Sequence, residues 1–74
     1  MPKLPRVNAA KMVRALVREG FTKRRQEGSH LTLRRASDGV RVVVPMHPGD
    51  LPVHVVHSIL KQAGLTVDEF IALL

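Results

Sequence analysis

The sequence predicts an α+β fold in which helices cover one face of a three-stranded antiparallel sheet, in the order α-β-β-β-α with a short C-terminal helix. Three observations predict it. Met12, Val13, Leu16 and Val17 recur at helical spacing near the start, and Val56, Ile59, Leu60 and Ala63 do so near the end. Between them lie three short segments joined by Glu27-Gly28 and by Ala36-Ser37-Asp38-Gly39. Two connections this short make an antiparallel meander. The 74 residues contain no linker, repeat or low-complexity stretch, so residues 1–74 read as a single domain.

Residues 1–7 read as an irregular arm, because Pro2 and Pro5 block regular structure. Asn8 is a helix N-cap, the first helix runs Ala9 to Glu19, and Gly20 stops it. Phe21 to Gln26 reads as a weakly apolar strand, and Glu27-Gly28 as a tight hairpin connection. Ser29 to Arg35 is the second strand. Its alternation puts Leu31 and Leu33 on one face and His30, Thr32 and Arg34 on the other. With the leucines in the core, His30 projects from the opposite, solvated side. After the turn at 36–39, Val40, Val42 and Val44 make the buried face of a third strand, with Arg41 outward. Pro45 to Leu51 is a loop broken by two prolines and a glycine. A second helix spans Pro52 to Ala63 and ends at Gly64. Thr66 followed by Glu69 has capping-box form and opens a last helix, Val67 to Leu73, carrying Phe70, Ile71, Leu73 and Leu74.

Charge narrows the function. Twelve Lys and Arg against six acids give +6 on a small surface, a field that attracts polyanions. Ten of the twelve precede residue 36, which points to one basic face rather than an evenly charged shell. Lys11, Arg14 and Arg18 form a stripe on the first helix, either an ordinary solvated face or a phosphate-contacting one. Phe21 and Phe70 are the only Phe, Tyr or Trp residues, which argues against RNA-recognition sheets and oligonucleotide-binding barrels that stack bases on aromatic rings. There is no cysteine, hence no disulfide and no thiolate zinc site. No apolar run approaches the roughly 20 residues that span a membrane, and the N-terminus lacks an apolar signal region. A soluble cytoplasmic chain with no membrane partner is the expectation.

The chemically suggestive stretch is Glu27-Gly28-Ser29-His30, with Lys23, Arg24 and Arg25 before it and Arg34 and Arg35 after it. An imidazole moves protons near neutral pH, and guanidinium groups grip phosphate. Together they suggest work on RNA, with Lys23, Arg24, Arg25, Ser29 and Arg34 as contacts. A helix-covered sheet with an exposed basic face is similar to the double-stranded-RNA-binding architecture, which reads shape and phosphate rather than stacked bases.

Four motifs then occur in order: Gly20-Phe21, Arg25-Gln26-Glu27-Gly28-Ser29-His30, Val44-Pro45-Met46-His47-Pro48-Gly49, and Ser58-Ile59-Leu60-Lys61-Gln62-Ala63-Gly64-Leu65. From about residue 8 onward the chain resembles the HicA toxins, the RNA-cleaving components of HicAB toxin–antitoxin pairs. The resemblance implies a double-stranded-RNA-binding-like fold, metal-independent cleavage of mRNA without a small-molecule cofactor, and inhibition by a HicB-type antitoxin. It also implies that His30, the histidine of Gly-Ser-His, is catalytic. Two departures stand out. His54-Val55-Val56-His57 replaces a segment that commonly reads Gly-Thr-Leu-Arg, and Thr22, Lys23 and Arg24 make the first strand less apolar and more basic than is usual.

RNA carries its own nucleophile, the 2′-hydroxyl. Cleavage needs a base for that proton, an acid for the leaving 5′-oxygen and positive charge on the phosphorane. His30 supplies one proton-transfer group; His47 is a possible second, weighed against a loop-stabilising hydrogen bond. Ser29 fits a hairpin hydroxyl better than a nucleophile. His54 and His57, at i and i+3, have neither a His-Glu-x-x-His pattern nor a carboxylate trio, so no metal site is expected. Two other functions stay open on the residues alone: a non-catalytic RNA-binding module, and a basic domain that docks an acidic protein.

Overall fold

The computed structural model describes residues 3–74. Its elements are α1 (Ala9–Arg18), β1 (Phe21–Glu27), β2 (His30–Arg35), β3 (Arg41–Pro45), α2 (Val53–Ala63) and α3 (Val67–Leu73). The strands form one antiparallel sheet in the order β1-β2-β3. Helix, three antiparallel strands and two helices are the predicted α+β order, and α1 and α2 pack on the same side of the sheet.

Local chemistry sets the ends. Asn8 Oδ1 accepts from the Lys11 backbone N–H at 2.8 Å, filling one orphan donor of the α1 N-terminus. Thr66 and Glu69 close the capping box of α3 in both directions, at 3.1 and 2.8 Å. Gly64 ends α2 at φ 72°, where a side chain would be strained. The core is apolar throughout. Met12 and Leu16 of α1, Leu33 of β2, Val42 and Val44 of β3, Ile59 of α2 and Phe70 of α3 are almost wholly excluded from solvent.

Several expectations need correcting. Val17 is 46% exposed, and Ala9 and Ala15 take the remaining core positions of α1. Val40 sits half-buried in the turn before β3, and Pro45 ends β3 instead of starting the loop. The first hairpin loop is Gly28-Ser29, not Glu27-Gly28, because Glu27 pairs with His30 across the ladder. The reason is backbone sign. Gly28 has φ 58° and Ser29 is not in the positive-φ region, which is the pattern of a two-residue turn with glycine first.

Of the arm expected over residues 1–7, Met1 and Pro2 lie outside the described residues. Residues 3–7 carry no regular structure, yet Val7 is buried at 1% exposure. Its carbonyl accepts from Leu51 N–H at 2.8 Å, and Asn8 bridges Asp50. That tie draws the loop after β3 to the start of α1.

Candidate functional site

The sheet has one helix-covered face and one open face, and the register shows what stands on the open one. Arg34 pairs with Thr22 and Arg41; Thr32 pairs with Arg25 and Val43; His30 pairs with Glu27 and Pro45. These three rows alternate with Leu31–Val44 and Leu33–Val42, which point into the core. Arg24, Arg25, Thr32, Arg34 and Arg41 line a concavity of about 530 Å³ on this face.

Strict alternation would send Arg24 and Arg25 to opposite faces. They share one because β1 carries a bulge: Lys23 pairs with Leu33 and Arg25 with the adjacent Thr32, which leaves Arg24 as the extra residue. The bulge therefore doubles the guanidinium density where β1 crosses the middle of β2. It also places Lys23 on the helix side, where it lines a depression with Val13, Arg14, Val17 and Arg18. Lys23 thus joins the α1 stripe and is separated from the two arginines that follow it in the chain.

His30 is the first residue of β2, exposed on the open face, as alternation from Leu31 and Leu33 predicts. It stands at the end of the ladder beside the arginine concavity. Its hairpin is pinned from two sides. Gln26 Nε2 donates to the Gly28 carbonyl at 3.1 Å, and the Met46 N–H donates to the carbonyl of half-buried Ser29. Glu27, opposite His30, is held by Arg25, Nε to Oε1 at 2.8 Å, with both side chains largely in solvent. An exposed pair of that kind adds little to stability, so its weight lies in where it holds the carboxylate.

His47 lies two residues beyond Pro45, exposed, in a depression lined also by Asn8, Ala9, Ala10 and Met46. That depression is not the arginine concavity. Among the described residues the His47 side chain makes no hydrogen bond, so the expected loop-stabilising bond is not the one the fold uses. The loop is held instead by the Leu51–Val7 backbone bond. His54 and His57 are exposed on α2, and among the described residues no three potential metal ligands cluster.

Arg35 differs from its neighbour Arg34. It lies on the helix side of β2, its guanidinium carbon 4.8 Å from the Phe21 ring centroid. Nε and Nη2 donate to the two Asp38 carboxylate oxygens at 3.0 and 2.8 Å, and Nη2 also donates to the Ala63 carbonyl at 3.2 Å. This bidentate grip holds the Asp38 carboxyl below the ordinary aspartate range and raises Arg35 above its own. Arg35 therefore fastens the β2–β3 turn to the C-terminal end of α2 and is unavailable to phosphate.

The site residues that sequence reasoning missed are Arg41, left outside the contact set although the valine alternation turns it outward, and Glu27, taken for a turn residue. The signal for Glu27 was the glycine itself, which belongs at the first position of a two-residue turn of this kind.

Residues 9–65 match the family model described as the HicA toxin of bacterial toxin–antitoxin systems. No curated protein matches the chain.

Proposed function

The chain belongs to the HicA toxin family, the toxin component of a toxin–antitoxin pair, and from that premise we propose that it cleaves mRNA through His30 without a metal and is neutralised by a HicB-type antitoxin. The observation that carries this reading is the company His30 keeps. Four guanidinium groups, Arg24, Arg25, Arg34 and Arg41, share its open sheet face, and Arg34 and Arg41 stand directly opposite each other. Like charges in cross-strand register destabilise a sheet. An anion bound between them reverses that cost, and the phosphodiester of RNA is such an anion.

In this reading the arginines fix the scissile phosphate and take up charge as the phosphorane forms. The neutral His30 imidazole accepts the proton of the 2′-hydroxyl. The 2′-oxygen attacks phosphorus in line, the bond to the 5′-oxygen breaks, and the leaving oxygen takes its proton from solvent. The products are a 2′,3′-cyclic phosphate and a 5′-hydroxyl. Such a base contributes about 10²–10⁴-fold. His47, two residues past the Pro45 that pairs with His30, is given no step in this reading. The antitoxin, in the same reading, blocks the basic open face.

The test is product chemistry in excess EDTA. Cleavage that persists and leaves 2′,3′-cyclic phosphate ends, or the phosphate monoesters of their hydrolysis, supports the reading. Cleavage lost in EDTA and restored by magnesium or zinc refutes it.

A further inference from the structure

The α1 stripe has no part in the chemistry above, and the fold connects it to the site. Lys11, Arg14 and Arg18 span eight residues of α1, roughly 10 Å along its axis. Arg14 and Arg18 line one depression with Lys23 of β1 and, with Lys11, a second between α1, the arm and the C-terminal residues. No Asp or Glu is among the residues lining either depression or the arginine concavity. The two acid-to-base ion pairs among the described residues involve Arg25 and Arg35, so Lys11, Arg14 and Lys23 have no acidic partner there. Arg18 alone is engaged, donating to the carbonyls of Leu73 and Leu74 at 2.6 and 3.2 Å.

The bulge makes this stripe continuous with the open face. Lys23 sits on the helix side and Arg24 and Arg25 on the other, in consecutive positions of β1. β1 is also an edge strand, so nothing in the sheet walls off one face from the other. The molecule is only 17 Å across its thinnest dimension. At about 3.4 Å per nucleotide of a stacked strand, five or six nucleotides cover that distance.

We propose that single-stranded RNA passes over the β1 edge, so that the α1 face, through Lys11, Arg14 and Lys23, holds backbone phosphates outside the catalytic face while Arg24 and Arg25 hold those beside His30. The proposal rests on the ribonuclease reading for its ligand, but its geometry stands on the bulge and the edge strand alone. The α1 face is then an anchoring site that rewards long RNA and is indifferent to base sequence. An acidic segment of a protein partner is the competing occupant. The unbroken run of cations into the phosphate-binding face favours RNA.

The experiment compares full-length His30→Ala protein, which cannot consume its ligand, with the same protein also carrying Lys11→Gln, Arg14→Gln and Lys23→Gln. Each is titrated with fluorescent oligouridylates of 4 and 20 nucleotides at several salt concentrations, after melting curves establish that both are folded. A tetramer, at about 14 Å, is shorter than the 17 Å thickness and does not occupy the open face and the Lys11–Arg14 part of α1 together. Expected is a loss of about tenfold or more in affinity for the 20-mer, with the log–log salt slope shallower by about 2, and a change under about twofold for the tetramer. Unchanged affinity for the 20-mer overturns the proposal, including the case in which binding of the antitoxin protein weakens instead. Equal losses for both lengths overturn it too, since that is a general field effect and not an anchoring site. Failure of the ribonuclease reading looks different: wild-type protein leaves RNA uncut while the length dependence of binding persists.

Discussion

Arg34 of β2 stands directly across the ladder from Arg41 of β3, both turned to the open face of the sheet. Two cations in register work against folding, and a bound phosphate turns the same pair into a clamp. Replacing Arg41 with Gln is expected to raise Tm by about 1–3 °C and to weaken RNA binding. Thermal melts of the free protein and salt-dependent titrations with RNA check both halves. Replacing Arg24, Arg25 and Arg34 together weakens binding broadly, without changing sequence preference.

The bulge makes a sharper test of β1. Lys23 and Arg25 already occupy the positions that regular alternation requires opposite Leu33 and Thr32. Deleting Arg24 should therefore leave a regular, folded hairpin with Tm within about 5 °C of the parent, and one guanidinium fewer in the concavity. Circular dichroism and RNA titration report on the two effects, with RNA affinity down about threefold at moderate salt. An unfolded product means that the extra residue is built into the packing of β1.

How far the fold could be read from the sequence follows from the same elements. β2 and β3 alternate cleanly, Leu31 and Leu33 against Val42 and Val44, so their faces and the exposure of His30 were legible. β1 has a single buried residue, Phe21. With no apolar partner rows, hydrophobicity cannot set its register or mark the bulge, and Lys23, Arg24 and Arg25 looked like one cluster. Arg34 and Arg35 looked equivalent for a related reason. Alternation does put Arg35 on the core side, but its partners Asp38 and Ala63 come from a turn and from a helix 28 residues away. The capping box and the glycine stops were legible because they are local. The exposure of Val17 was not, because it depends on what α1 meets at the β1 edge, where Lys23 and no apolar side chain of the sheet lines the same depression.

Acid should loosen the turn that Arg35 holds. The Asp38 carboxyl titrates below its ordinary value in the fold, chiefly through its hydrogen bonds from Arg35. A carboxylate depressed in the folded state contributes stability that is complete above about pH 4 and is lost as pH falls through the lower folded value. Asp38→Asn is thus expected to lower Tm at pH 6, and the gap to wild type should close as the pH falls well below 4. A gap that stays constant down to pH 2 would show that the charge is not what matters at this position.

His47 lies at the same end of β3 as His30, two residues past the Pro45 that pairs with His30. The proposed route takes the leaving oxygen's proton from solvent, so His47→Ala should slow cleavage by less than about tenfold, short of the effect of removing a proton-transfer group. A single-turnover assay on a saturating RNA measures this. A loss of a hundredfold or more would make His47 the acid for the 5′-oxygen and place the leaving group toward the start of α1.

The most direct measurement is a melting curve and a cleavage time course on one preparation of His30→Ala. His30 is exposed on the open face of the sheet, so Tm should stay within about 3 °C of wild type. RNA binding should survive, since the four arginines remain, while cleavage falls by at least about a hundredfold. A mutant that is folded and cuts RNA at the wild-type rate would contradict the assignment of His30 as the catalytic base.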